Sequence, residues 1–276
     1  MQPKALRRGS NLKYVHFMHP TKNVPTYGIL EGESLAICKG EIFRDPIKKD
    51  EVVPLSEIRE YLPVVFPPNI LALGLNYYSH ADEWQGPTPK EPILFLKANT
   101  SIIGHRGTIM LPNMAPDEVD YEGELAVIIG RKAKNVPERE ASSHILGYTC
   151  GNDLTARDCQ LRRDEQWARA KSFDTFCPLG PWIETELNPS DVKISTRVNG
   201  RVLQDSSTKN MIFSVESLVS FLSRCMTLLP GTVIMSGTPG GVGFKRNPPI
   251  FLKPGDTVEI KIDGVGILQN SVAVEQ

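Results

Sequence analysis

The sequence lacks an excess of charge of either sign, and it lacks any long apolar run. Its 276 residues include 31 lysines and arginines against 32 aspartates and glutamates, which gives a formal net charge of −1. Because no surplus of positive charge is available to neutralise a phosphate backbone, a nucleic-acid partner is not expected. No apolar run approaches the roughly 18 residues of a membrane helix, and none follows the basic N-terminal residues as in a secretory signal. We therefore expect neither a nucleic-acid nor a membrane partner.

Cysteine is scarce, and nucleotide-binding motifs are missing. The five cysteines include no Cys-x-x-Cys pair, which argues against a zinc finger, a thioredoxin-like site or a secreted disulfide framework. We expect buried free thiols and a cytoplasmic location. The glycine-rich stretch Ser236–Gly243 has neither the Lys-Ser/Thr of a P-loop nor the spacing Gly-x-Gly-x-x-Gly. Nucleotide binding is therefore not expected.

Glycine and proline, 22 of each, divide the chain into short apolar segments, which is typical of a strand-rich protein with many turns. The extended run Pro63–Pro68 predicts a boundary between a small N-terminal β unit (residues 1–67) and a larger domain (residues 68–276). The pattern predicts strands at 14–18, 27–30, 35–37, 70–73, 93–97, 125–129 and 258–262, a hairpin turning at Asn199-Gly200, and a helix at 214–226.

Three carboxylates stand at the edges of apolar segments. Glu122 and Glu124 lead into the apolar run 125–129, and residues two apart on a strand share one face. Asp153 follows another short apolar stretch. Oxygen donors of this kind suit Mg²⁺ or Mn²⁺ better than Zn²⁺. From the pattern alone, two surface glutamates and a helix N-cap at Asp153 remain open as alternatives.

Two further segments contain residue types used in catalysis. His80 and Glu83 are spaced so that they can touch on one helical turn, and a carboxylate that fixes an imidazole is the geometry of a general base. Lys171 could hold a substrate carboxylate or stabilise an oxyanion. A solvated turn and a surface lysine are the ordinary alternatives. The backbone amides of the glycine-rich stretch, with Thr238, could bind a small carboxylate, or they could simply form a tight turn.

Taken together, these segments resemble the fumarylacetoacetate hydrolase family from about Pro68 to the C-terminus. Each piece is weak by itself, but their order over some two hundred residues is specific. The matching pieces are Gly74-Leu-Asn-Tyr77 with His80 and Glu83, Pro92–Lys97, Asp120-Tyr-Glu-Gly-Glu124, Gly147–Gln160, Lys171-Ser-Phe-Asp174-Thr, Val198-Asn-Gly200, Met211-Ile-Phe213 and Gly237-Thr-Pro-Gly240.

The resemblance implies a mainly β fold, with mixed β-sheets rolled around a central cavity and few short helices. It implies Glu122, Glu124 and Asp153 as ligands of Mg²⁺ or Mn²⁺, and a homodimer. His80 and Glu83 would form a catalytic dyad on a lid within residues 77–91, with Lys171 in the site. Gln160 and Thr238 would contact the substrate, a small 2-oxo acid. No equivalent of a further acidic ligand from the longer N-terminal domain of fumarylacetoacetases is found, so fumarylacetoacetate itself is not the expected substrate.

Three functions follow from these residues and the resemblance. The first is metal-dependent hydrolysis of a C–C bond in small 2,4-diketo acids resembling acylpyruvates, with water activated by His80. The second is decarboxylation of a 2-oxo acid such as oxaloacetate, or isomerisation of a 2-hydroxy-dienedioate. The third is a non-catalytic diacid-binding protein, which the joint presence of His80, Glu83 and Lys171 disfavours.

Overall fold

Strands dominate the structure, a computed structural model that describes residues 11–44 and 46–276. In chain order they are β1 (Lys13–Met18), β2 (Pro25–Glu31), β3 (Ser34–Lys39), β4 (Ile47–Pro54), β5 (Ile70–Gly74), β6 (Ile93–Lys97), β7 (Ile102–Ile103), β8 (Thr108–Leu111), β9 (Val119–Asp120), β10 (Gly123–Ile129), β11 (Ile145–Asn152), β12 (Thr155–Ala156), β13 (Cys177–Glu184), β14 (Lys193–Val198), β15 (Arg201–Ser207), β16 (Val233–Met235), β17 (Thr257–Ile262) and β18 (Gly266–Val274). A mainly β fold was predicted, and it is confirmed.

The helices are few and short. They are α1 (Tyr78–Glu83), α2 (Ala168–Lys171) and α3 (Val215–Cys225), with one π-helical turn (Cys159–Arg163) and short 3₁₀ turns (Leu55–Glu57, Asn99–Ser101, Glu138–His144, Thr208–Asn210 and Gly243–Lys245). None of the helices in the described ranges is long and apolar enough to span a bilayer.

One large mixed sheet forms the backbone of the molecule. Its strand order is β4-β3-β2-β1-β13-β11-β10-β16-β5-β6, and β7 also pairs with β13. Strand β10 is central and buried along its whole length, as its continuous apolar run requires. Its antiparallel pairing with β11 brings the N-terminal end of β10 beside the C-terminal end of β11.

A second sheet, with the order β15-β14-β17-β18-β8, packs on one face of the large sheet. Leu125 and Val127 of β10 point into the core between the two sheets, whereas Ala126 and Ile128 point into a core on the opposite face. This alternation is the one predicted for the strand, since side chains two residues apart share a face. A small pair, β9 and β12, lies beside the carboxylates described below.

Strands β1–β4 extend the large sheet, because β1 pairs with β13. They also enclose a separate apolar cluster that includes Val15, Phe17 and Leu35. The described N-terminal strands therefore share one sheet with the rest of the chain. The division of the chain at residues 67 and 68 stays a prediction.

Several local predictions are confirmed. Asn199 and Gly200 both have positive φ, 50° and 77°, as the turn between β14 and β15 requires. Ser214 caps α3, where its hydroxyl accepts a hydrogen bond from the Ser217 amide at 3.2 Å. The cysteines are all free, but Cys225 at the end of α3 is exposed rather than buried. It falls on the outer side of the amphipathic helix, which the count of cysteines could not indicate.

Candidate active site

The three predicted carboxylates lie together at the junction of β10 and β11. Gly123 pairs with Asn152 across these strands, and the Asp153 amide donates to the Glu122 carbonyl at 2.9 Å. This register places Glu122, Glu124 and Asp153 side by side, with one oxygen from each within 4.8 Å of the others. All three side chains are buried, so the structure does not support the alternative of surface glutamates at a frayed strand end.

Three buried cations compensate these negative charges. Lys171 Nζ lies 2.7 Å from Glu122 Oε2 and 2.7 Å from Asp153 Oδ2. Lys97 Nζ lies 2.5 Å from Asp153 Oδ1, and Arg157 Nη2 lies 2.6 Å from Glu122 Oε1. Asp153 therefore bonds two lysines and does not serve as the N-cap of a helix. Buried carboxylates need such partners, because an unpaired buried charge is strongly destabilising.

Burial and neighbouring charge pull the pKa values in this cluster apart. Burial alone would raise the pKa of Glu122, but Lys171 and Arg157 outweigh it and hold that pKa below its usual range. Glu124 has its pKa raised well above the usual value by burial and by the negative charges of Asp153 and Glu122. Burial would lower the pKa of Lys171, but the same neighbouring carboxylates raise it, so Lys171 is protonated at neutral pH.

The buried acidic triad could hold a metal ion. It offers only carboxylate oxygens, each with lone pairs beyond those used by the lysines and the arginine, and hard oxygen donors suit Mg²⁺ or Mn²⁺. The raised pKa of Glu124 reflects negative charge that its protein neighbours leave uncompensated. A divalent cation would supply that compensation, so the donor set fits the predicted metal.

A chain of polar contacts leads from Glu122 to Gln160. Arg157 Nε donates to Asp120 Oδ2 at 2.9 Å, and Arg157 Nη1 donates to Gln160 Oε1 at 2.7 Å. The guanidinium also lies 4.2 Å from the ring centroid of Phe244. Because arginine only donates, the oxygen of the Gln160 amide must face it. The amide nitrogen of Gln160 is left on the other side as a donor.

The predicted dyad forms on α1. His80 Nδ1 lies 3.0 Å from Glu83 Oε2, and His80 is buried. The Gly241 amide donates to Glu83 Oε1 at 2.6 Å, and the Gly240 amide donates to the Ser79 hydroxyl at 3.0 Å. Both contacts fasten α1 to the glycine-rich loop after β16. The dyad carboxylate is thus held from both of its oxygens.

The same loop also binds two other carboxylates of the protein. The Gly237 amide donates to Glu124 Oε2 at 2.8 Å. Asp120 Oδ1 accepts from the Gly243 amide at 2.8 Å, and Asp120 Oδ2 accepts from the Phe244 amide at 3.1 Å. The loop amides were predicted to be able to bind a small external carboxylate, but the amides of Gly237, Gly241 and Gly243 bind carboxylates of the protein itself. A turn of this kind makes a concave row of donors, and side chains from other segments of the chain supply the anions.

Thr238 lines the site, but its hydroxyl hydrogen is already used. Its Oγ1 donates to the Gly123 carbonyl at 3.0 Å and accepts from Gln204 Nε2 at 2.8 Å. In this arrangement Thr238 cannot donate to a substrate carboxylate, although it can still accept a hydrogen bond. Its role as a substrate contact stays a prediction.

Several of these groups line one small cavity. Its volume of about 20 Å³ is enough for roughly one water molecule. The polar part of its wall consists of His80, Glu122, Arg157, Gln160, Lys171 and Thr238, and the apolar part includes Trp84, Phe95 and Trp167.

Lys97, Arg157 and Asp120 were not predicted as site residues, although all three lie in segments that matched the family. Lys97 ends an otherwise apolar strand, and Arg157 stands in the run Leu154-Thr-Ala-Arg157. A charged residue at the end of such a run is a signal of burial in an ion pair. Only the structure shows which carboxylates Lys97 and Arg157 contact.

Comparisons with known proteins identify the family of the chain. Residues 69–273 match the family model described as fumarylacetoacetate (FAA) hydrolase C-terminal. A protein from Archaeoglobus fulgidus is 54% identical over 219 residues, which are 79% of this chain and 84% of that protein. A mitochondrial oxaloacetate tautomerase from Homo sapiens is 44% identical over 225 residues, which are 80% of this chain and 71% of that protein.

Comparison with solved structures shows that the similarity extends over the whole fold. The crystal structure of 2-hydroxyhepta-2,4-diene-1,7-dioate isomerase from Mycobacterium marinum superposes with a TM-score of 0.85 at 39% identity. The match covers 96% of this chain and 99% of that one. By the matched residues, the sequence relatives and the fold, this chain belongs to the fumarylacetoacetate hydrolase family of enzymes.

Proposed function

We propose that this enzyme transfers a proton in a small 2-oxo acid and so interconverts its enol and keto forms. The observation that carries the proposal is the His80–Glu83 pair, whose imidazole lines the same cavity as Glu122 and Lys171. Proton transfer next to a carbonyl needs one positioned base and a cationic surrounding for the enolate. Two of the similar proteins, a tautomerase and an isomerase by name, belong to the same class of reaction.

His80 is the proposed acid and base. Glu83 accepts a hydrogen bond from its Nδ1, which leaves Nε2 free to take a proton from the substrate carbon and return it. The Gly241 amide holds the other oxygen of Glu83. The imidazole is therefore fixed in one orientation before a substrate binds.

Lys171 and Arg157 are proposed to stabilise the negative charge of the enolate. Both are buried and line the cavity. Since its carboxylate neighbours raise its pKa, Lys171 keeps its charge at neutral pH. Glu122, Glu124 and Asp153 would hold Mg²⁺ or Mn²⁺, and such a cation supplies Lewis-acid stabilisation of charge on the substrate oxygens.

Hydrolysis of acylpyruvates, the function placed first from the sequence, would use the same residues. It needs in addition a water molecule between His80 and the distal carbonyl. Decarboxylation of oxaloacetate would need only the enolate-stabilising groups. Proton transfer is the proposal because it uses the fixed His80–Glu83 pair, which decarboxylation does not need, and it requires no additional water molecule beside the substrate.

The test compares three reactions of the Mg²⁺-loaded enzyme, with EDTA as the control. These are enol–keto conversion of oxaloacetate, followed by ultraviolet absorbance, release of CO₂ from oxaloacetate, and cleavage of acetylpyruvate. We expect the first to be fastest. Faster cleavage of acetylpyruvate would make the enzyme a hydrolase, and faster release of CO₂ would make it a decarboxylase.

Two variants separate the base from the metal ligands. We expect His80→Ala to slow enol–keto conversion by about 10²- to 10⁴-fold while Mg²⁺ binding, measured by calorimetry, is retained. Glu122→Gln should lose both Mg²⁺ binding and activity. If Mg²⁺ binding fails equally in His80→Ala, the assignment of His80 as the base is wrong. Whether the protein forms the predicted homodimer is a separate question, which light scattering can answer by measuring its mass in solution.

A further inference from the structure

Trp84 carries a buried hydrogen-bond donor without an acceptor. Among the residues that the structure describes, four buried side-chain polar atoms have no hydrogen-bond partner: Tyr77 Oη, Trp84 Nε1, Trp182 Nε1 and Thr232 Oγ1. Of these four residues, Trp84 alone lines the cavity that contains His80 and Lys171. A buried N–H without an acceptor is costly and calls for an explanation.

The indole of Trp84 is held in place from several sides. The residue directly follows α1 and lies against the ring of Phe244 at a centroid distance of 5.4 Å. The exposed Lys245 places its Nζ 4.9 Å from the indole centroid, a cation–π contact. The centroids of the Trp84 and His80 rings are 6.5 Å apart, and the two ring planes are nearly perpendicular. The indole of Trp84 is therefore fixed beside the proposed base His80, with the positive charge of Lys245 near its ring.

A second donor shares the cavity wall. The amide oxygen of Gln160 faces Arg157, so the amide nitrogen is available for another partner. Gln160 and Trp84 both line the cavity, so each can present an N–H group to its occupant. In the proposed function, a cation held by Glu122, Glu124 and Asp153 would stabilise charge on the substrate oxygens at the reacting end, which leaves a second acidic group of the substrate free for these donors.

We infer that Trp84 determines specificity by donating a hydrogen bond to a second acidic group of the substrate, so that the enzyme selects 2-oxo diacids over 2-oxo monoacids. This inference rests on the proposed function. A carboxylate supplies the acceptor that the indole lacks, and it carries the negative charge that Lys245 favours. A monoacid leaves the N–H unsatisfied, which predicts a discrimination of about 10- to 100-fold.

The test measures binding of two unreactive probes to the Mg²⁺-loaded protein by calorimetry. Malate and 2-hydroxybutanoate share a carbon skeleton, and the second carboxylate of malate is a methyl group in 2-hydroxybutanoate. We expect the wild-type protein to prefer malate. Trp84→Phe, which keeps an aromatic side chain and removes the N–H, should weaken malate binding by about 10- to 100-fold. Binding of 2-hydroxybutanoate should stay unchanged.

Trp182→Phe is the matched control, because its Nε1 is also buried without a partner but lies outside this cavity. It should change binding of neither probe. Equal loss of both probes in Trp84→Phe, or loss of neither, overturns the role of Trp84 and leaves the proposed function standing. A wild-type protein that does not prefer malate overturns the selection of diacids, whereas the proposed function is overturned only if enol–keto conversion of oxaloacetate is absent.

A kinetic and a stability measurement complete the test. In Trp84→Phe, kcat/KM for enol–keto conversion of oxaloacetate should fall, whereas exchange of the C3 protons of 2-oxobutanoate with D₂O should keep its rate. The unfolding temperature should be unchanged or higher, since the variant removes an unsatisfied buried donor. A lower unfolding temperature with equal loss of both reactions would assign Trp84 a structural role instead.

Discussion

Lys97 places a fully buried ammonium group beside the proposed metal ligands. Its Nζ contacts Asp153 Oδ1 at 2.5 Å and the Leu154 carbonyl at 3.4 Å. Removing one partner of a buried ion pair costs about 3–5 kcal/mol, because the other charge stays buried and unpaired. We expect Lys97→Met to lower the free energy of unfolding by about 3 kcal/mol in EDTA, measured by urea denaturation, and Mg²⁺ to restore part of it.

Lys193→Met provides the comparison for that measurement. Lys193 forms an exposed pair with Asp205 at 3.4 Å, and such a pair contributes at most about 1 kcal/mol. A Lys97→Met variant as stable as Lys193→Met in EDTA would show that the buried cation is dispensable.

At the residue scale, the sequence identified the side chains of the candidate site better than it identified the residues that contact them. The spacing of Glu122 and Glu124 follows from strand geometry, and the spacing of His80 and Glu83 follows from one helical turn. Lys97 lies 56 residues from Asp153, the carboxylate it contacts. No local period encodes such a contact, so the compensating cations became visible only in the folded chain.

The loop after β16 is the element that joins α1, the proposed lid, to the rest of the candidate site. At Gly241, φ is +102°, and a Cβ there would overlap the carbonyl oxygen of Leu203. Its amide also donates to Glu83. We expect Gly241→Ala to displace the loop and release α1, so that the amides of Tyr78–Glu83 exchange hydrogen faster by mass spectrometry.

Gly255→Ala tests whether backbone strain alone explains that effect. Gly255 has a similar φ of +91°, but a Cβ there meets open space. Both variants carry the cost of a positive φ, about 1–2 kcal/mol. Equal exchange in α1 for the two variants would show that the contact of Gly241 with Leu203 and Glu83 does not hold the lid.

Elements with a clear hydrophobic period or a clear turn sequence were predicted well. Buried strands without such a signal were predicted less well. The turn at Asn199-Gly200 and helix α3 carry strong local signals. Strand β13 was not predicted from the sequence, because it contains two prolines and a glycine in Cys177–Glu184. It is nevertheless the strand to which β1 attaches, and this long-range pairing decides the shape of the large sheet.

At the scale of the whole molecule, the junction between the two large sheets contains a half-buried histidine. Burial lowers the pKa of His105 to about 4, and Arg106 adds to this effect. An unfolded histidine has a pKa of about 6.5. Between these values the unfolded chain binds a proton that the folded chain does not. Stability should therefore fall as the pH decreases from about 6.5 to about 4.

His105→Asn should make the protein less sensitive to acid. The asparagine oxygen can accept from the Gln269 amide, as His105 Nδ1 does at 3.1 Å. Urea denaturation at several pH values should show that, as the pH falls from about 6.5 to about 4, the free energy of unfolding of the variant declines by up to about 3 kcal/mol less than that of the wild-type protein. The comparison at pH 8, where the histidine is neutral in both states, isolates any loss of packing. Parallel pH curves for variant and wild type would contradict the prediction.

The loop of Gly237–Phe244 holds Glu124, Glu83 and Asp120 through peptide amides. A peptide amide persists through a codon change, but a Cβ at Gly237, Gly241 or Gly243 would overlap neighbouring atoms. The hold on these acids is therefore independent of side-chain chemistry and dependent on side-chain absence. Evolution can vary this stretch only between the three glycines, and an engineer who keeps them keeps the anchors of all three acids.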